Sequence, residues 1–160
     1  MRPFVRYDVS GVTMTRANVI ALKSWKDPQG DVVLVYSERE CSVFFPCWLE
    51  NREPADYIGY LSFEHASAVR SFDREFLPYR LAEHNQHSYI LTIPDSDMVR
   101  EHVAYRKSAY PQWPSRPTPT HFVVVGADVY HEILAASYTE SIIPKQEVSD
   151  ERLFRLLLGA

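Results

Sequence analysis

Two β-branched runs, NVIALKSW (18–25) and DVVLVYS (31–37), flank the segment KDPQG, where Pro28 and Gly30 signal a turn. The pattern predicts a hairpin, and a hairpin forces antiparallel pairing on the sheet it belongs to. A second hairpin is expected within HFVVVGADVYHEILAAS (121–137), turning at Gly126-Ala127-Asp128. Three further strands are expected: CSVFFPCW, stopped by Pro46; YIGYLSFE (57–64); and SYILTIP (88–94).

Between these strands the rhythm changes. From His65 to His84 the apolar positions Ala66, Val69, Phe72, Phe76, Tyr79 and Leu81 recur at three- and four-residue steps, which predicts a helix broken near 74–78 by Pro78. A second helix is expected over 97–109, capped by Asp95 or Ser96, with Met98, Val99, His102, Val103 and Tyr105 on its inner stripe. Prolines at 111, 114, 117 and 119 make residues 110–120 neither helix nor central strand. A short helix capped by Ser149, with Val148 stapled on Leu153, is expected to close the chain. The expected fold class is therefore α+β: one domain over 1–160, with a mostly antiparallel sheet of five to seven strands and two or three helices covering one face.

Charge and glycine usage exclude several function classes. With 21 acidic against 17 basic residues the net charge is −4, and no basic run exceeds Arg106-Lys107. Nucleic acid and anionic membrane are therefore not expected partners. Only five glycines occur, none close together, so phosphate-cradling and dinucleotide-binding loops are absent. There is no Gly-x-Ser-x-Gly elbow and no Cys-x-x-Cys, and HEILA (131–135) lacks the second histidine of a zincin helix. Cys41 and Cys47, if extended, share a face about 20 Å apart, too far for a disulfide. With no apolar leader at the start of the sequence, free thiols point to the cytoplasm.

The remaining candidates are individual side chains. Glu83, His84 and His87 could hold a divalent ion with a third ligand from His65, Asp95 or His131, but His84-Asn85 also suits a helix end, the reading adopted. His102 falls on an apolar helix face, where a hydrogen-bonded core histidine is the ordinary case. On the last hairpin Glu132 aligns with Tyr130 and Leu134, and His131 with Val129 and Ile133. A glutamate on a packed sheet face is costly unless paired. Glu132 and Tyr130 therefore either line a cleft as a binding pair or sit on an exposed face, or Glu132 has an arginine partner. Trp113 is expected to anchor the proline loop on the body of the protein. The aromatic strand 57–64 is expected under a helix, not as a base-stacking platform.

Two functions from different classes follow. The favoured one is a non-catalytic cytosolic binding, regulatory or assembly domain, without cofactor or metal, engaging a protein partner or a second copy through the apolar C-terminal helix RLFRLLLGA. The other is a small enzyme with His84, His87, His102 and Glu132 as acid–base groups in a pocket between sheet and helices.

Overall fold

The run CSVFFPCW is buried almost throughout because other strands flank it on both edges and a second sheet lies across its face. It forms β4 of a computed structural model that describes residues 14–81, 83–151 and 153. The strands are β1 (Thr15–Ala21), β2 (Trp25–Lys26), β3 (Val33–Tyr36), β4 (Cys41–Trp48), β5 (Pro54–Glu64), β6 (Ala68–Asp73), β7 (Tyr79–Leu81), β8 (Tyr89–Thr92), β9 (Thr120–Val125), β10 (Val129–Ala135) and β11 (Ser137–Pro144). Among the described residues they are accompanied by one α-helix, α1 (Asp97–Ala109).

The strands form two sheets. One has the order β6-β10-β9-β8-β1-β7, and the other β11-β5-β4-β2, with β3 also on β4. Phe122, Val124 and Ile133 from the first pack against Val43, Phe45, Leu61 and Phe63 from the second, making the principal core. The expected α+β class, with two or three helices covering one face, is thus overturned: the described residues are mostly β, with a single α-helix.

The difference lies in residues 65–84. These form β6, a 3-10 turn (Arg74–Phe76) and β7, not a helix. The three- and four-residue spacing is incidental; the governing period is two. Val69 and Ser71 sit opposite Ile133 and His131 of β10, while Arg70 and Phe72 sit opposite Glu132 and Tyr130. Strand pairing, which supplies six register partners here, overrides the local apolar rhythm.

The first expected hairpin is also not one. β1 pairs with β7 and β8, while β2 and β3 lie in succession along β4, joined by the KDPQG turn. The chain changes sheet at Lys23-Ser24, whose two backbone N–H groups donate to the Glu140 carboxylate. Pro46 does not end its strand but sits where the β4–β5 register shifts, the position at which a residue without an N–H is tolerated. Gly59, opposite Phe45, leaves room for the Phe45 ring directly over its backbone. The β9–β10 hairpin forms as expected, with Gly126 N–H donating to Val129 O.

The first sheet curls strongly. β7 and β10 are four inter-strand steps apart, roughly 19 Å in a flat sheet at about 4.8 Å per step. Nevertheless the Tyr79 hydroxyl hydrogen-bonds Glu132. The concave side holds Ala17, Tyr79, Leu91, Ile93, Val123 and Tyr130 as a second core. The outer face of the other sheet is covered by Val148 and Leu153, packed on Phe44 and Ile58 of the same chain. Asp150, not Ser149, accepts the Leu153 N–H at that turn. The rest of the expected terminal helix, including residues 154–160, lies outside the described residues.

α1 is where the sequence places it. Ser96 caps it, its hydroxyl accepting the Val99 N–H at 3.0 Å. Only Met98 of the expected inner stripe is buried; Val103 and Tyr105 face outward. No described helix is long and apolar enough to cross a membrane. Cys41 and Cys47 are free, buried thiols, both pushed up to about 11 by burial.

Candidate functional site

The four residues expected to carry acid–base chemistry do not converge. His84 packs edge-on against Tyr89, its Nδ1 accepting the Gln86 N–H. His87 stacks on Trp25. Neither ends a helix, because the regular element before them is the strand β7, and among the described residues no three His, Cys, Asp or Glu side chains gather to hold a metal. His102 is half-buried on α1, in an open groove. Glu132 is inside the curled sheet.

Glu132 is 2% exposed and has an arginine partner, one of the alternatives its strand position leaves open. Arg70 Nε donates to Oε2 at 2.9 Å, while the Tyr79 hydroxyl donates to Oε1. His121 Nε2 lies 3.5 Å from Oε1, and its Nδ1 is 2.7 Å from Ser96 Oγ. Burial alone pushes the Glu132 carboxyl up. The nearby His121 ring, the Tyr79 bond and the Arg70 charge outweigh it, so the group sits below the ordinary carboxylate value and is ionised. Burial and then the bond to Glu132 push Tyr79 up. Tyr130, on the same face, donates its hydroxyl to Phe76 O. Glu132 and Tyr130 therefore do not form a cleft-facing pair. Sequence reading missed Tyr79 and Arg70, because both lie in the segment read as helix. The available signal was the alternation Val69-Arg70-Ser71-Phe72 beside a glutamate in need of a cation.

The open surface lies elsewhere. A groove of about 480 Å³ is floored by α1 and walled by the proline loop, with His65–Ser67, Tyr36 and Glu38 opposite. α1 contributes His102, Tyr105 and Arg106; the loop contributes Tyr110, Trp113 and Arg116. α1 ends at Tyr110, whose N–H donates to Arg106 O, and Trp113 N–H then donates to Tyr110 O. That turn stacks the two rings with centroids 4.2 Å apart and planes 17° apart. Prolines on either side restrict the loop, so the aromatic pair is held in place before anything binds. Trp113 does not anchor the loop in the core: it is 51% exposed, and Tyr105 is 68% exposed. Neither Arg106 nor Arg116 pairs with a carboxylate among the described residues. The groove thus offers exposed aromatic faces beside two uncommitted guanidinium groups, on a protein of net charge −4.

A smaller cavity of about 310 Å³ lies at the other end of α1, lined by Ile93, Pro94, Ser96, Val99, Thr120 and His121 among others. Compared with known proteins, the chain matches no protein family, no curated protein and no solved structure.

Proposed function

We propose that this protein is a binding domain that takes an acidic, extended segment of a partner protein into the α1–proline-loop groove. The observation that carries the reading is the stacked, half-exposed Tyr110–Trp113 pair flanked by the unpaired Arg106 and Arg116. Exposed aromatics cost solvation and are ordinarily covered. Tyr, Trp and Arg are the residue types that supply most binding energy at protein interfaces. The guanidinium groups select carboxylates, and the aromatic faces accept the apolar side chains between them.

A nucleic acid would use the same aromatic and basic chemistry. Against it stand Glu38 in the groove wall and the acidic balance of the whole chain, which oppose a long polyanion and favour a segment with a few carboxylates. The buried free thiols fit a cytoplasmic setting, where they stay reduced.

Selection of a displayed random-peptide library on the folded domain tests the proposal. Enriched peptides should be rich in Asp and Glu with an aromatic or aliphatic anchor. They should lose at least tenfold in affinity for Trp113→Ala and for the Arg106→Glu/Arg116→Glu double variant. Enrichment of basic or neutral peptides, affinity indifferent to these substitutions, or no enrichment would each refute it.

A further inference from the structure

The cavity at the start of α1 meets the buried end of the Glu132 cluster, and the hydrogen-bond directions there can be assigned. The Val99 N–H donates to Ser96 Oγ and so occupies one of its two lone pairs. The hydroxyl hydrogen is therefore free to point at His121 Nδ1, 2.7 Å away. With Nδ1 accepting, the neutral ring carries its proton on Nε2, which is buried 3.5 Å from Glu132 Oε1 and makes no hydrogen bond in the structure. Glu132 is in turn fixed by Tyr79 and Arg70 and kept ionised. Ser96 retains one lone pair, and both Ser96 and His121 line the cavity.

A serine, an imidazole and an ionised carboxylate in this order are the parts of an acyl-transfer relay: nucleophile, base, and the group that orients the base. Either ring nitrogen can act as base once the other holds the proton, so the use of Nδ1 toward serine is no obstacle. The 3.5 Å carboxylate contact is too long and poorly aligned to count as a hydrogen bond, as catalytic contacts commonly are before a substrate is bound. α1 starts immediately after Ser96, so the first-turn N–H groups of Asp97 and Met98, which have no acceptor within the helix, lie beside the nucleophile where negative charge would develop.

We propose that Ser96 is a nucleophile activated by His121 and Glu132, acting on a small carboxylic ester whose acyl group sits in the 310 Å³ cavity against Ile93, Pro94 and Val99. Ser96 Oγ bonds to the ester carbonyl carbon as its proton passes to His121 Nδ1. The carbon–oxygen bond to the leaving alcohol breaks, and that oxygen takes the proton from His121. Water then attacks the acyl-serine by the same proton path, releasing the acid and restoring Ser96. This activity stands apart from the groove and does not depend on what binds there.

The protein contains its own comparison. Ser71 Oγ also lies 2.7 Å from a histidine nitrogen, His131 Nδ1, but His131 Nε2 donates to the Val32 carbonyl, and among the described residues no carboxylate stands behind the ring. Ser71 is the more exposed serine of the two. If exposure governed reactivity, Ser71 would react first; if the relay governs it, Ser96 would.

The test treats the folded, full-length protein with diisopropyl fluorophosphate and maps the modified residue by peptide mass spectrometry. Ser96 should be modified at least about a hundredfold faster than Ser71, and His121→Gln should slow the Ser96 reaction by a similar factor. Ser96 unmodified, or modified no faster than Ser71 in the same sample, overturns the proposal without any variant. An unchanged rate in a folded His121→Gln protein overturns it as well.

Discussion

Replacing Tyr79 by Phe keeps the ring in the concave core and removes only the hydroxyl that donates to Glu132. A hydrogen bond to a charged group contributes about 1.5–3 kcal/mol net. Both partners are buried, so water does not readily replace the donor. We therefore expect a loss of about 2 kcal/mol at pH 7, or about 4–8 °C in Tm for a chain of this length. The loss should depend on pH in a definite direction. Glu132 has a folded-state pKa below its ordinary value of 4.5, so it contributes stability that is complete above that value and is lost as pH falls through the folded pKa. Tyr79→Phe removes one of the bonds that depress the pKa, so the variant has less to lose on acidification. Urea unfolding at pH 7 and at a pH low enough to protonate Glu132 in the folded protein should show the gap between the two proteins narrowing in acid. An equal gap at both pH values, or a gap below about 0.5 kcal/mol at pH 7, would refute an ionised, Tyr79-bound Glu132.

Arg70→Ala should cost less than Tyr79→Phe, about 1 kcal/mol by thermal unfolding, because 44% of the arginine side chain is exposed and solvent screens the pair. Gly59→Ala drives a methyl group into the fully buried Phe45 ring and should cost about 1–3 kcal/mol in a denaturant titration. Lys26, whose Nζ donates to Val125 O, is brought down to about 8 by burial and then by the Arg74 charge. Because the unfolded lysine keeps its proton up to its ordinary value of 10.5, stability should rise with pH from about 8 to about 10.5 through this group. Competitive acylation followed by mass spectrometry should give Lys26 a midpoint about 2.5 units below the surface lysines.

What could be read from the sequence depended on whether the deciding partner was local. α1 was legible because Ser96 and the prolines after Ala109 mark both ends. The β9–β10 hairpin was legible because its turn residues lie between its own strands. β1 and β3 looked like a hairpin by the same logic, yet their partners are β7, β8 and β4, and nothing between residues 18 and 37 encodes that. Residues 65–84 failed for a related reason: the strand character of β6 comes from pairing with β10, about 60 residues on. An arginine partner is one of the alternatives that the alternating strand leaves open for Glu132, but Arg70 cannot be named from a segment whose local spacing is helical. In the groove, the sequence picks out Trp113, while helical spacing puts Tyr105 on the inner stripe of a helix that buries only Met98. Helical period gives the relative orientation of side chains, not which side the sheet occupies.

The groove is the central claim, and amide chemical-shift mapping addresses it most directly. An ¹H–¹⁵N titration of the protein with a peptide of alternating glutamate and leucine should shift resonances of Tyr36, residues 65–67 and residues 102–116, together with the Trp113 indole N–H. The matching lysine–leucine peptide should leave them in place. Shifts concentrated elsewhere, equal responses to the two peptides, or no response to the acidic one at millimolar concentration would contradict the account.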